Sequence, residues 1–159
     1  MKNIMTYILI VTIYMTACAD NNSTEIENNV APQIMADVIN IFVSGEDSNY
    51  TFNVEIKSPD LGCDQYADWW EIISEDKTLI HRRILAHSHV NEQPFIRSGG
   101  PVNIKKDQVV YIRAHMNNKG YGNKVFMGSV SKGFSAQIIE TNFADELETV
   151  APLPNGCAF

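Results

Sequence analysis

Between Asn49 and Lys57 apolar and polar residues alternate one for one, with Tyr50, Phe52, Val54 and Ile56 in one phase and Thr51, Asn53 and Glu55 in the other. A period of two describes a strand with one dry face and one wet face. The same reading predicts a strand over 37–43 (DVINIFV) and a hairpin of 68–74 (DWWEIIS) with 78–85 (TLIHRRIL) around Glu75-Asp76-Lys77. It then predicts a long turn from Ala86 to Pro101, a short strand at 102–104, a long strand at 109–116 and another at 124–130 after the polar turn 117–123. Residues 134–143 could add an edge strand, 144–150 read as one or two helical turns, and 152–159 lead back toward Cys63. No internal repeat is evident. Six or seven short strands punctuated by turn residues describe a β-sandwich or a small barrel.

The N-terminus follows a different pattern. Lys2 precedes an uncharged run, Ile4 to Met15, which ends in Met15-Thr16-Ala17-Cys18. The run is shorter than the roughly 20 residues that cross a bilayer, and small residues before a cysteine mark a processing site. This segment resembles the leader of bacterial lipoproteins, whose usual box is Leu-Ala/Ser-Gly/Ala-Cys; Met15 and Thr16 depart from its commonest letters. The resemblance implies cleavage before Cys18, lipid (palmitate among it) on that thiol, and a mature chain held in the cell envelope, at the outer membrane on its periplasmic or surface face. Residues 19–33 (ADNNSTEIENNVAPQ) are polar, acidic and rich in Asn, the composition of a tether. The expected layout is therefore a signal peptide (1–17), an acidic tether (18–35) and one sandwich domain (36–159).

Without the leader about 140 residues remain, enough for one domain with a single core. The chain carries 12 basic and 19 acidic side chains, a formal charge of −7, which argues against nucleic acid as a partner and against adsorption to anionic lipid. Membrane attachment would rest on acyl chains at Cys18, and more than one is needed for stable anchoring. With Cys18 assigned to lipid, Cys63 and Cys157 are left in an oxidising compartment, where two such thiols pair. Closing a loop of roughly 90 residues is worth about 4 to 5 kcal/mol in the chain-entropy model.

The strand order, with Trp69 or Trp70 on the third strand and Tyr111 on the sixth, resembles an immunoglobulin-like or fibronectin-type sandwich over about residues 36–131. The expected fold is all-β: an immunoglobulin-like antiparallel β-sandwich with a disulfide-tethered C-terminal segment. Adjacent Trp69 and Trp70 must face opposite ways, so one belongs to the core and the other is either covered by the C-terminal segment or exposed.

Three features could carry chemistry. His87 and His89, two apart, would share one side of a strand; His115 lies with Tyr111 and Arg113 opposite the apolar face Val110, Ile112, Ala114 and Met116. If the strands adjoin, three imidazoles could meet around Zn²⁺ or Cu²⁺ with Glu92 as fourth ligand, and no other cofactor is implied. The His87–Gly99 segment also resembles the first cupin motif. Its spacing to Glu92 is one residue short, His81 stands where that motif has glycine, and no second motif precedes His115. The competing reading is that His87 and His89 hydrogen-bond loop backbone.

The second feature is charge: Arg82, Arg83, Arg97 and Arg113 face Asp64, Asp68, Glu71 and Glu92. Arg82 and Arg83 point to opposite sides, and Glu71 is the cross-strand partner for whichever is buried. Arg97 and Arg113 either clamp an anionic ligand or belong to a salt-bridged scaffold. Third, Gly99-Gly100-Pro101 and Lys119-Gly120-Tyr121-Gly122 lack phosphate-loop spacing and read as turns. No nucleophile motif or singular carboxylate pair occurs, which argues against an enzyme.

The blocks Cys63–Glu71 and His87–Pro101 resemble stretches of uncharacterised bacterial secreted proteins, and that resemblance transfers no functional residue. In an immunoglobulin-like order Asp64, Tyr66, His87, His89, Glu92, Arg97 and Tyr121 would gather at one pole, with Arg113 on the neighbouring strand as a further ligand contact. The expected function is a lipid-anchored envelope protein acting as a binding or interaction module for an unknown envelope or extracellular ligand. The alternatives are a Zn or Cu protein or metalloenzyme using His87, His89 and His115, and a purely structural envelope component.

Overall fold

The computed structural model describes residues 34–158, so Cys18, the leader and nearly all of the tether lie outside the described residues. Among the described residues nine strands run in chain order: β1 (Asp37–Glu46), β2 (Asn49–Lys57), β3 (Ala67–Ser74), β4 (Leu79–Ile84), β5 (Phe95–Val102), β6 (Val110–Met116), β7 (Gly120–Tyr121), β8 (Lys124–Ser129) and β9 (Gly133–Ile138). They form two antiparallel sheets. One has the order β1-β2-β5; the other runs β4-β3-β6-β8-β9, with the two-residue β7 paired to β6. Strands one, two and five thus lie in one sheet and three, four, six, eight and nine in the other, a sandwich-like arrangement of antiparallel sheets.

The alternation along β2 decides the packing. Tyr50, Phe52, Val54 and Ile56 are all buried, and they meet Trp70 and Ile72 of β3 and Val110, Ile112, Ala114 and Met116 of β6 across the sandwich. Trp70 is fully buried in this core. β3 is buried along seven of its eight residues because both of its faces are covered. Trp70 and Ile72 enter the main core, while Ile73 joins Ala144, Leu147, Leu79, Tyr111 and Phe143 in a second, smaller cluster on the other side of the sheet. The pairing Ala67↔Met116 shifts before Trp69↔His115, so Asp68 is the extra residue of a bulge and turns to the same side as Trp69.

The stretch from Phe95 to Val102 corrects the sequence reading. The long turn expected up to Pro101 ends earlier, and β5 pairs with β2 from Ile56↔Phe95 to Tyr50↔Val102. Its inward positions are Phe95, Arg97 and Gly99, too mixed to register as an apolar phase. Gly99 is needed because a side chain there would start 2.6 Å from the Trp70 ring and 2.8 Å from His81 Nε2. Pro101 is tolerated because β5 is an edge strand.

After β9 the chain makes a short 3-10 turn, Asp145–Thr149, and crosses the outer face of the larger sheet. It is then bonded back to the β2–β3 connection by the Cys63–Cys157 disulfide, with Cα atoms 5.6 Å apart. Ala158 N–H donates to the Ala86 carbonyl beside it, at 2.6 Å.

Candidate functional site

The outer face of the larger sheet carries charge that the strand register dictates. β3 and β6 pair Trp69 with His115, Glu71 with Arg113 and Ile73 with Tyr111, while β4 sets Arg82 opposite Glu71. Glu71 is fully buried. One of its oxygens accepts from Arg82 Nε at 2.9 Å and Nη2 at 2.5 Å, the other from Arg113 Nε at 2.8 Å. Two guanidiniums on one carboxylate leave several N–H groups over, and the C-terminal segment takes them. Arg82 donates to the carbonyls of Leu147, Val150 and Pro152, and Arg113 to those of Phe143 and Ala144. Residues 143–152 thus form a strap held by arginine-to-carbonyl bonds, which is how buried charge is made tolerable.

His115 lies under the same strap. Its Nδ1 is 2.6 Å from Asp68 Oδ1, its Nε2 is 3.3 Å from Glu148 Oε1, and its ring is stacked on Trp69 at 3.6 Å. Tyr121 completes the group, with the Arg113 guanidinium 3.4 Å from its ring centre. Burial, reinforced by the Glu71 carboxylate, pushes the Tyr121 phenol well above its usual range. Both imidazole nitrogens of His115 face carboxylates.

A second cluster is built by the loop between β4 and β5. Asp60, buried in the β2–β3 connection, accepts from the backbone N–H of His89 (2.7 Å) and of Ala67 (3.0 Å) and from the Ser58 hydroxyl (2.6 Å). Gln93 braces the same loop, accepting from Ser58 N–H and donating to the His89 carbonyl. His89 is 2% exposed, stacked on Phe95 at 3.8 Å, and its two ring nitrogens have no hydrogen-bond partner; Asp60 is nearest, 3.8 Å from Nδ1. Burial, with Arg97 adding, lowers its pKa to about 4. His87 stands 4.6 Å away, ring to ring, and the exposed Glu92 is held by Arg97 at 2.6 Å, which keeps its carboxyl below the usual range. Two clefts adjoin here, sharing Asn91 and Glu92. One of ≈390 Å³ is lined by Gly62 and residues 87–92, the other of ≈510 Å³ by residues 91–97.

The expected site residues are therefore divided. Arg113, His115 and Tyr121 sit together under the strap, while His87, His89, Glu92 and Arg97 sit together in the β4–β5 loop. Asp64 and Tyr66 are tied to the β6–β7 turn, Tyr66 by reciprocal bonds with Asn117 and Asp64 through its carbonyl to Asn118. Among the described residues no group of three or more His, Cys, Asp or Glu could hold a metal ion. His115 keeps company with Asp68 and Glu148 instead of with His87 and His89 because its strand register aims it at the strap. Of the charged residues, Glu71 is the partner of Arg82 that the pattern predicts. Asp60 and Glu148 were not legible as site residues. Asp60 follows Ser58-Pro59 as an ordinary turn signal, and Glu148 lies in a turn whose position depends on the whole fold.

No protein-family model matches the chain, and no solved structure matches it. A protein of Halomicrobium mukohataei named "Putative lipoprotein" is 32% identical over 82 residues, 52% of this chain and 40% of that protein. The chain thus spans less than half the length of the curated relative it matches.

Proposed function

We propose that this chain is a lipid-anchored protein of the cell envelope whose sandwich serves as a binding module, placed at the outer membrane through lipid on Cys18. The leader ending in Cys18 and the partial similarity to a protein named as a lipoprotein support the anchor. The observation that carries the binding role is the contrast between the two polar clusters. The strapped arginines are consumed by Glu71 and by backbone carbonyls, whereas the loop braced by Asp60 presents two adjoining clefts to solvent, the one along residues 91–97 mainly polar and the other mainly apolar.

Replacing Cys18 with Ser is expected to move the protein from the detergent phase to the aqueous phase and to slow leader removal; unchanged partitioning rejects the anchor. A photo-cross-linking residue at the exposed Val90 is expected to give adducts in intact envelopes, while one at Lys77, in the β3–β4 turn, gives none. Equal labelling at the two positions rejects the loop as the binding surface.

A further inference from the structure

A third cleft, of ≈270 Å³, opens where the edge strands of the two sheets meet, and it is lined by Thr51, His81, Arg83, Ser98, Gly99 and Gly100. Every lining residue is polar or glycine, and none is a carboxylate. In a chain with a formal charge of −7 that is a departure from the average surface. Arg82 and Arg113 share Glu71, Arg97 has Glu92 and Lys124 has Asp37, but Arg83 forms no ion pair among the described residues.

The guanidinium of Arg83 is nevertheless fixed in place. Its Nε donates to the Ser98 carbonyl across the gap between the sheets at 2.9 Å, and its Nη1 donates to the Ile84 carbonyl at 2.5 Å. Nη2 is left without a hydrogen-bond partner among the described residues, in a guanidinium already oriented. Holding a group in its bound position beforehand lowers the cost of binding. Behind it, His81 Nε2 is buried without a hydrogen-bond partner, at the point where Gly99 lacks a side chain. An unpaired polar atom at the back of a cleft is one that a bound polar group can satisfy.

We propose that this cleft binds a small carboxylate, with Arg83 supplying the charge and His81 Nε2 and the Thr51 hydroxyl supplying further polar contacts. One cation matches a monoanion better than a phosphate dianion, and the Nη2 N–H groups of Arg83 would give a carboxylate oxygen charge-assisted hydrogen bonds. The volume suits a molecule of a few carbons, since a water molecule occupies about 30 Å³ in the liquid. This cleft is separate from the β4–β5 loop, and the proposal holds or fails independently of the anchor.

The test is a titration of the full chain in detergent with sodium propionate against sodium chloride at constant ionic strength, read by NMR at the Gly99 and Gly100 amides and the His81 ring. Saturable shifts confined to these groups are expected, with a Kd on the order of millimolar for so small a ligand. Arg83→Gln should weaken binding at least tenfold and Arg83→Lys several-fold, while Lys124→Gln should leave it unchanged. Shifts that do not saturate, inorganic phosphate competing as strongly as propionate, or equal loss in Lys124→Gln would each overturn the proposal. The wild-type shift map decides the matter even if Arg83→Gln fails to fold.

Discussion

The strap over Glu71 and the loop over Asp60 both bury a carboxylate, yet they solve the problem in opposite ways. Glu71 sits at the centre of a sheet, and its partners are placed by strand register: Arg82 from one neighbour and Arg113 from the other. Asp60 sits between strands and collects backbone N–H groups from Ala67 and His89, far apart in the chain. The first arrangement neutralises charge with charge and spends the surplus donors on carbonyls. The second satisfies a carboxylate with amides and leaves the neighbouring imidazole of His89 bare. A region stabilised by register is closed; one stabilised by a single bracing carboxylate keeps unused polar capacity, which is why the proposed binding surface lies there.

The largest expected effect breaks the closed region. Glu71→Ala leaves two guanidiniums buried without their anion, and stability measured by urea unfolding should fall by about 3 to 5 kcal/mol. Asp60 and its loop should be little affected, so the shifts of the His89 region in an NMR spectrum should stay near those of the parent.

Next comes the disulfide, which joins the two regions by bonding the segment just beyond the strap to the connection that carries Asp60. Cys157→Ala should cost about 2 to 4 kcal/mol. Trp69, 3% exposed beneath the strap, should become open to a fluorescence quencher while Trp70 in the core does not. Equal quenching of both would mean that the strap is not a separate layer.

The third prediction concerns acid. His89 titrates near pH 4 in the folded protein against about 6.5 for an unperturbed ring. Below about pH 6.5 the unfolded chain takes up a proton that the folded protein refuses until about pH 4. Stability should therefore decline as pH falls through that interval, by up to about 3 kcal/mol, and be insensitive to this group above it. His89→Phe should flatten that part of the profile; an unchanged profile would show that another group dominates it.

The smallest effect is at Glu148, whose side chain is 52% exposed where it meets His115. Glu148→Gln should change stability by less than about 1 kcal/mol, because solvent screens such a pair. A larger loss would place Glu148 among the residues that hold the strap closed.

These regions also differ in how far the sequence discloses them. The alternation of β2, the two faces of β6, the opposed tryptophans and the Glu71–Arg82 pair all follow from a period of two, and each is found. Local periodicity fixes which side a residue faces. It does not fix what covers that side, and so Arg113 reads equally well as a ligand clamp until the strap is seen above it. The β5 strand was hidden for a related reason: glycine at position 99 is chosen by the Trp70 and His81 rings on the other sheet, and a contact across the sandwich leaves no trace in the neighbouring letters. The same holds for Asp60, whose backbone N–H partners are 7 and 29 residues away.

The Cys63–Cys157 bond spans 94 residues, from the β2–β3 connection to the segment beyond the strap. A protease cut at any point in that span severs the backbone but not the molecule, since the two pieces stay linked through sulfur and through the sheets between them. A nicked molecule of this kind migrates as one species until it is reduced and as two afterwards. Wherever proteases reach the fold, the covalent return of the strap is a form of damage tolerance: a single cleavage within the span becomes a scar that leaves the sandwich standing.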